Sequence, residues 1–135
     1  METRGPAERG RPLLVVDGAN VVGSVPDGWW RDRRAATERL LDRLELVLQE
    51  GLPGGPEPPF DLVAVVEGAA RTVGARDGVR VVPADGSGDD AIVEVVRAAG
   101  DGRSRLVVTA DRGLRDRVEA LGASVVGPRA VRRTR

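Results

Sequence analysis

The sequence predicts one α/β domain, a three-layer sandwich in which helices cover both faces of a mainly parallel, roughly five-stranded sheet. Short apolar runs, typical of strands that are buried on both faces, alternate with stretches of helical periodicity. Two Trp and one Phe are the only aromatic residues, so the core must be packed from Val, Leu and Ala, which suits such a sheet. The length of 135 residues fits a single domain of this kind.

The domain is expected to run from residue 13 to residue 127. Residues 1–12 are rich in Gly, Pro and Arg and predict a loose N-terminal tail. The Arg-rich residues 128–135 predict a second, solvated tail in preference to a phosphate-binding arm. No apolar run approaches the roughly 20 residues of a membrane span, and the first residues lack the apolar core of a signal peptide. We therefore expect a cytoplasmic protein without a membrane partner.

The first half of the domain predicts a strand, a helix and a loop. Residues 13–16 form a continuous apolar run that Asp17 and Gly18 close as a turn. Apolar residues then recur at intervals of three and four between positions 40 and 48, which predicts an amphipathic helix of about 18 residues. Gly51 is a natural C-terminal stop, and the Pro- and Gly-rich residues 51–59 predict a surface loop.

The second half alternates strands with helices, which implies right-handed crossovers and parallel pairing. One helix should begin near Asp89 and end before Gly100, and another should carry Leu114 and Val118 on its apolar face. The remaining strands are expected at residues 62–66, 79–82, 106–108 and 124–126.

Acidic residues follow three of the predicted strands. Asp17, Glu67 and Asp111 each stand at a strand end, and the carboxyl ends of parallel strands share one edge of a sheet, where ligands bind. Asp89 and Asp90 join them from the start of a helix. The sequence therefore predicts a crevice lined by carboxylates.

These carboxylates indicate a divalent cation. Two of them about 4 Å apart repel by roughly 4 kcal/mol at an effective dielectric constant near 20, so several together need a counter-charge. Glu94, four residues after Asp90, lies on the same helical face and is a further candidate ligand. The chain has no Cys and no His, and oxygen ligands favour Mg²⁺ or Mn²⁺ over zinc or copper.

Each acid also has a structural interpretation, and these alternatives remain open. Asp17 could favour a turn, while Asp89 and Asp111 could cap the helices that follow them, because Asp is a preferred N-cap residue. Glu67 is as compatible with structure as with function, and Glu94 fits an ordinary solvated helix position. Caps alone do not require an acid at three strand ends.

Other enzymes of α/β folds fit the sequence poorly. A receiver domain relies on a Lys, and every basic residue here is Arg. An aspartyl-nucleophile phosphatase needs a second Asp where Ala19 stands, and the turn after the first strand lacks the Gly-rich pattern of a dinucleotide-binding domain.

The motifs resemble the NYN domain, in particular its YacP-like branch, within the PIN-like nuclease superfamily. Residues 13–22, LLVVDGANVV, resemble the opening strand and the Asp-Gly-x-Asn turn of that family. This resemblance implies that Asp17 is a metal ligand and that Asn20 supports it. The likeness covers most of residues 13–127.

Three later motifs extend the resemblance in the same order. Residues 62–68, LVAVVEG, resemble the second strand, with Glu67 where the family usually has Asp. Residues 88–94, GDDAIVE, resemble a motif of Asp followed four residues later by Glu, which aligns Asp90 and Glu94. Residues 107–111, VVTAD, resemble the last acidic strand end, which implies that Asp111 is the remaining ligand.

The resemblance implies a metal-dependent endoribonuclease in which Asp17, Asp90 and Asp111 are catalytic. Many PIN-like proteins carry a further acid two positions after the last ligand, where this chain has Gly113, and Asp116 could substitute for it. Gly113 therefore supports a second hypothesis, a PIN-like module that binds RNA or a protein partner without cutting anything. Fold analogy alone does not decide between them.

An aromatic and basic cluster provides candidate RNA contacts. Trp29 and Trp30 precede Arg31, Arg33 and Arg34, and such clusters can stack on bases and bind phosphates. Packing at a helix start is the alternative interpretation of the two Trp residues. Arg112 is a further candidate contact by its position next to the last acid.

Overall fold

The computed structural model describes residues 10–25, 28–68, 70, 74 and 76–132, and they form one five-stranded sheet between two layers of helices. All strand pairs are parallel, in the order β3-β2-β1-β4-β5. The predicted α/β sandwich is confirmed. The strands are β1 (Leu13–Asp17), β2 (Asp61–Val66), β3 (Val79–Pro83), β4 (Arg105–Val108) and β5 (Ser124–Val126).

Helices from both halves of the chain cover the two faces of the sheet. The first and second helices and the last pack on one face, and the third and fourth pack on the other. A 3₁₀ helix, Trp29–Arg31, precedes the second of them. The helices are α1 (Gly18–Gly23), α2 (Arg33–Glu50), α3 (Gly88–Ala99), α4 (Arg112–Glu119) and α5 (Arg129–Arg132).

The central strand β1 explains why its sequence is continuously apolar. Leu14 and Val16 belong to the core under α1, α2 and α5, whereas Leu13 and Val15 belong to the core under α3 and α4. Because successive side chains of a strand point to opposite faces, a strand buried on both faces has apolar residues at successive positions.

In the described part of the chain, no helix combines the length and the apolar character needed to cross a bilayer.

Helix α1 replaces the simple turn that Asp17 and Gly18 predicted. Asp17 is the last residue of β1 and also the N-cap of α1. Gly18 allows this change of direction, because a Cβ at this position would lie 2.6 Å from the carbonyl oxygen of Val65 on β2. The glycine lets the chain pass close to the neighbouring strand, so Asp17 stays beside the carboxyl edge of the sheet.

The C-terminal tail expected from residue 128 is corrected in part by the structure. Residues 129–132 form α5, and Val131 is completely buried in the core that includes α2. Val131 and the partly buried Ala130 pack this turn against the core, and residues 133–135 of the expected tail lie outside the described residues. At the other end, residues 1–9 of the expected tail lie outside the described residues, while Arg11 forms an ion pair of 3.3 Å with Asp61.

Candidate active site

Four acidic side chains lie at the carboxyl edge of the sheet and influence one another electrostatically, and we call them the carboxylate cluster: Asp17, Glu67, Asp89 and Asp111. Asp17 ends β1, Glu67 directly follows β2, Asp111 follows β4, and Asp89 lies in the first turn of α3. The charges of Asp89 and Glu67 both act on Asp17, and those of Asp111 and Glu67 act on Asp89. The sheet topology therefore brings together acids that are far apart in the sequence.

Asp17 is the buried member of the cluster, with 5 % of its surface exposed. Its Oδ2 accepts a hydrogen bond of 2.9 Å from the hydroxyl of Thr109, and its Oδ1 accepts one of 3.4 Å from the backbone N–H of Asn20. Burial raises the pKa of Asp17, the two hydrogen bonds lower it, and the charges of Asp89 and Glu67 raise it further. The net effect is a raised pKa, so the ionised form is costly without a counter-charge.

The loop after β4 is held to α1 by side chains around Asp17. The hydroxyl oxygen of Thr109 also accepts the N–H of Asp111 at 3.1 Å. The side-chain oxygen of Asn20 accepts the N–H of Ala110 at 2.9 Å. Asn20 therefore supports the site by fixing the loop that carries Asp111, and it contacts Asp17 through its backbone.

Asp111 and Glu67 each use one carboxylate oxygen to hold a backbone group. Asp111 caps α4, since its Oδ1 accepts the N–H of Leu114 at 2.8 Å. Glu67 Oε2 accepts the N–H of Gly88, the first residue of α3, at 2.6 Å. These contacts orient both carboxylates and leave the second oxygen of each without a hydrogen bond among the described residues.

Asp89 is a site residue and not the cap of its helix. Ser87 is the N-cap of α3, and its hydroxyl accepts the N–H of Asp89 at 3.1 Å. Partial burial raises the pKa of Asp89, and so does the charge of Asp111, whereas the charge of Arg117 lowers it. The helix cap expected from the sequence at Asp89 is therefore wrong, while the cap expected at Asp111 is confirmed.

The structure does not bring Asp90 and Glu94 into the cluster. Consecutive helical residues are about 100° apart around the axis, so Asp89 and Asp90 point in different directions from α3. Asp90 instead accepts a hydrogen bond of 2.9 Å from Arg117, and its side chain is 85 % exposed. Glu94 pairs with Arg97 at 2.8 Å.

A large cavity lies away from the acids. It measures about 600 Å³ and lies between α3 and the strands β2 and β3, with Glu94, Arg80 and Arg103 in its wall. None of the four members of the carboxylate cluster lines it. This cavity is therefore separate from the carboxylate cluster.

The cluster is an open arrangement of oxygen donors. Among the described residues, no three acidic side chains are close enough to form a ready-made metal-binding group. Gly113 lies beside Asp111, because a Cβ at position 113 would be 3.4 Å from Oδ1 of Asp111. Asp116 is exposed on α4. A side chain at position 113 would therefore begin next to the carboxylate of Asp111.

The two Trp residues contact each other, and Trp29 lines a cavity together with Glu67. Their rings meet edge to face with centroids 6.0 Å apart, and Trp30 is 55 % exposed. The guanidinium of Arg31 lies 5.8 Å from the ring centre of Trp30, and that of Arg33 lies 5.3 Å from the ring centre of Trp29. Packing at a helix start accounts for Trp29, which is half-buried, and leaves Trp30 with its ring in solvent.

A cavity of about 190 Å³, which we call the Trp29 cavity, joins this aromatic group to the acids. Trp29, Arg33 and Glu67 all line it, and since Glu67 belongs to the carboxylate cluster, the cavity borders the cluster at this residue. The other two predicted RNA contacts lie elsewhere. Arg34 is exposed and pairs with Glu38 at 3.4 Å, and Arg112 is exposed in the first turn of α4.

Thr109 and Arg117 each contact a predicted site residue, Asp17 and Asp90 respectively, and sequence reasoning missed both. Thr109 stands between the last β4 residue and Asp111, and its position just past a strand end was the only signal. Arg117 comes from α4, and its contact with Asp90 depends on how α3 and α4 pack. Arg33 had the same sequence neighbourhood as Arg31 and Arg34, and only the structure distinguishes the three.

The fold and the crevice together define an α/β protein with an acidic site at the carboxyl edge of a parallel sheet. No family model matches the sequence, and no curated protein matches it. Among solved structures, the fold matches a crystal structure of Rae1 (YacP) from Bacillus subtilis, determined as a point mutant, with a TM-score of 0.72. The match covers 89 % of this chain and 72 % of that chain at 17 % sequence identity. The chain therefore has a YacP-like fold.

Proposed function

We propose that this protein is a metal-dependent endoribonuclease that hydrolyses RNA phosphodiester bonds at the carboxylate cluster. The observation that carries the proposal is the interaction of Asp17 and Asp89, whose pKa values are both raised by burial and by neighbouring carboxylates. Perturbed acids grouped in a crevice are typical of functional sites. The YacP-like fold and the ordered motif resemblance favour nuclease chemistry over other uses of such a crevice.

The proposed cofactor is Mg²⁺ or Mn²⁺, held by the carboxylate cluster. The donors are all hard oxygens, and the pKa of Asp89 stays raised although the charge of Arg117 acts on it, which favours a further cation at the cluster. Mg²⁺ usually keeps several waters and binds one or two carboxylates plus a substrate phosphate, so it does not require a closed cage of acids. Asp89 takes the place in this proposal that the family resemblance gave to Asp90.

Such a cation, when bound, lowers the pKa of a water molecule and neutralises charge on the phosphate that reacts. The residues of the chain prepare the site for it. Thr109 and Asn20 donate hydrogen bonds to Asp17, which favours its ionised form and fixes its orientation. The cap made by Asp111 and the contact of Glu67 with Gly88 orient two further carboxylates before any ligand arrives.

RNA is the proposed substrate because a base-stacking surface adjoins the acids. Trp29, with Arg33 stacked on its ring, lines a cavity whose other wall includes Glu67. Aromatic rings and Arg guanidinium planes are the usual partners of unstacked RNA bases. A base held against Trp29 would therefore place its phosphate next to the carboxylate cluster, and Trp30 with Arg31 offers a second, exposed stacking surface.

A second candidate function, an RNA-binding module that does not cut, is favoured by one observation. The position beside Asp111 that an additional acid would occupy is Gly113. If the remaining acids hold a cation too weakly for chemistry, the Trp29 cavity would still bind RNA. The two candidates differ only in cleavage.

The test is cleavage of an end-labelled RNA that contains both paired and single-stranded segments. Parent protein, Asp17→Asn and the control Asp77→Asn are incubated with Mg²⁺ or Mn²⁺, and a parallel series contains a chelator. Asp77 is an exposed acid next to β3, so the control makes the same chemical change away from the cluster. Cleavage by the parent and the control alone, abolished by chelator, supports the nuclease. Binding of RNA by the folded parent without cleavage supports the non-cutting module.

A further inference from the structure

We propose that a second cavity, lined by three arginines, binds a backbone phosphate of the RNA strand on the far side of α1 from the Trp29 cavity. This inference rests on the proposed function and names a substrate contact beyond it. The arginine cavity has a volume of about 230 Å³. Arg39 and Arg43 of α2 and Arg132 of α5 line it, together with an apolar floor of Val21, Val22, Val25, Ala36, Leu40 and Val131.

The three arginines are without counter-charges in the described part of the chain. None of them has an ion pair or a side-chain hydrogen bond there, and the buried Nε of Arg132 has no hydrogen-bond partner. Two exposed arginines on the helices of the opposite face are paired instead: Arg97 with Glu94 and Arg115 with Glu119. Three cations that meet around one cavity without an acid indicate that an anionic ligand completes the site.

The arrangement suits a phosphate group. Arg39 and Arg43 are four residues apart on α2 and therefore point to the same side of the helix, and Arg132 approaches from α5. Guanidinium groups present planar forks of N–H donors that match phosphate oxygens in pairs. The apolar residues of the cavity provide no ligands for a metal ion, but they can pack against the ribose or base that accompanies the phosphate.

The position of the cavity connects it to the acids. Val22 lines both the arginine cavity and the Trp29 cavity, so the two are neighbours on either side of α1. Helix α1 begins at its cap, Asp17, and its six residues span about 9 Å. We therefore expect an RNA strand whose scissile phosphodiester bond lies at the carboxylate cluster, with one base stacked on Trp29, to place the phosphate of a neighbouring nucleotide beside the arginines.

The inference is tested by RNA binding in the presence of a chelator, where cleavage cannot interfere. The affinity of the full chain for a labelled single-stranded RNA is measured at several salt concentrations for three proteins. These are the parent, Arg39→Gln/Arg43→Gln, and the control Arg97→Gln/Arg115→Gln, which removes the same charge from the opposite face. A single Arg39→Gln variant, at an exposed position, is measured as well in case the double variant does not fold.

The first double variant should bind about tenfold more weakly than the parent, on every RNA sequence alike. Its slope of log affinity against log salt should be shallower by about 0.7 for each phosphate that the variant no longer neutralises, and Arg39→Gln should show part of this change. The control should keep the slope of the parent. Equal slopes in the parent and in the arginine variants would overturn the inference.

Two further results separate this inference from the proposed function. If the parent binds RNA but does not cut it with Mg²⁺, the proposed nuclease activity is contradicted. The salt dependence of RNA affinity still tests the phosphate contact in that case. A parent that binds no RNA overturns both. A mononucleotide or inorganic phosphate that raises the melting temperature of the parent through these arginines, with RNA slopes unchanged, would show a free-phosphate site and overturn the RNA contact.

Discussion

The hydroxyl of Thr109 donates a hydrogen bond of 2.9 Å to Oδ2 of Asp17, and its oxygen accepts the N–H of Asp111 at 3.1 Å. One small side chain thus connects the ends of β1 and β4 across the bottom of the crevice. Because Asp17 is buried, this contact influences both how the acid is oriented and when it ionises. Thr109 is therefore a positioning residue for the carboxylate cluster.

Replacing Thr109 with Val should move the acid limb of the cleavage profile to higher pH. The hydrogen bond from Thr109 lowers the pKa of Asp17, so its removal raises that pKa further. Removing a hydrogen bond to a charged group should also cost about 1.5–3 kcal/mol of stability. Cleavage rates across pH and urea unfolding measure the two effects. Thr109→Ser, which keeps the hydroxyl, should resemble the parent, and an unshifted profile for Thr109→Val would contradict the role.

The Asp17→Asn variant should be more stable than the parent at neutral pH in metal-free buffer. The folded-state pKa of Asp17 is raised, so its stabilising contribution is complete below the unfolded pKa of about 3.9. That contribution is lost as the pH rises through the folded-state pKa, above which a buried charge destabilises the fold. Urea midpoints at pH 7 and near pH 3.5 check this. The advantage of the variant should disappear at the lower pH, and a variant less stable than the parent at pH 7 would be inconsistent with this account.

Gly18→Ala should destabilise the protein by about 1–3 kcal/mol, because its new Cβ would lie 2.6 Å from the carbonyl oxygen of Val65 and force the backbone to shift. Gly23→Ala is the matched control at the other end of α1. A Cβ at that position would be 3.6 Å from the Trp29 ring, an ordinary contact, so its effect should stay within about 0.5 kcal/mol or be stabilising. Chemical denaturation compares the two, and equal midpoints would count against the close approach.

The sequence predicted the strands and those helices whose apolar pattern extends over several turns. The five strands stand at positions close to those observed, and α2 ends at Gly51 as its stop signal indicated. Helices α1 and α5 were missed because six and four residues give too few turns for helical periodicity. Their places depend on tertiary packing, of Gly18 against β2 and of Val131 in the core.

The sequence predicted those residues of the carboxylate cluster that follow directly from the positions of the strand ends. Asp17, Glu67 and Asp111 meet because parallel strands share a carboxyl edge, a rule that needs no side-chain detail. The choice between Asp89 and Asp90 depends on the rotation of α3 about its axis. That rotation is set by which residues of α3 pack on the sheet, and neighbouring acids differ by about 100°. The motif resemblance selected Asp90, whereas the structure directs Asp89 to the crevice.

Magnesium should stabilise the parent against heat if the carboxylate cluster holds a cation. A ligand at ten times its dissociation constant contributes about 1.4 kcal/mol, which corresponds to a rise of about 4 °C in Tm for a domain of this size. The Asp17→Asn/Asp89→Asn variant should lose the response because it removes two of the interacting charges. Thermal scans with and without millimolar Mg²⁺ measure the effect. An equal rise in both proteins would place the cation elsewhere.

The most direct measurement is RNA cleavage with Mg²⁺ by the parent, Asp89→Asn and Asp90→Asn, in which the two variants make the same chemical change at adjacent positions. Asp89→Asn should lose about 100-fold or more in rate, because it removes an acid of the crevice. Asp90→Asn should stay within a few-fold of the parent, since it loses an exposed ion pair with Arg117 and a charge that is the smallest of the influences on Asp89. Loss of cleavage in Asp90→Asn together with full activity in Asp89→Asn would contradict the carboxylate cluster as the catalytic site.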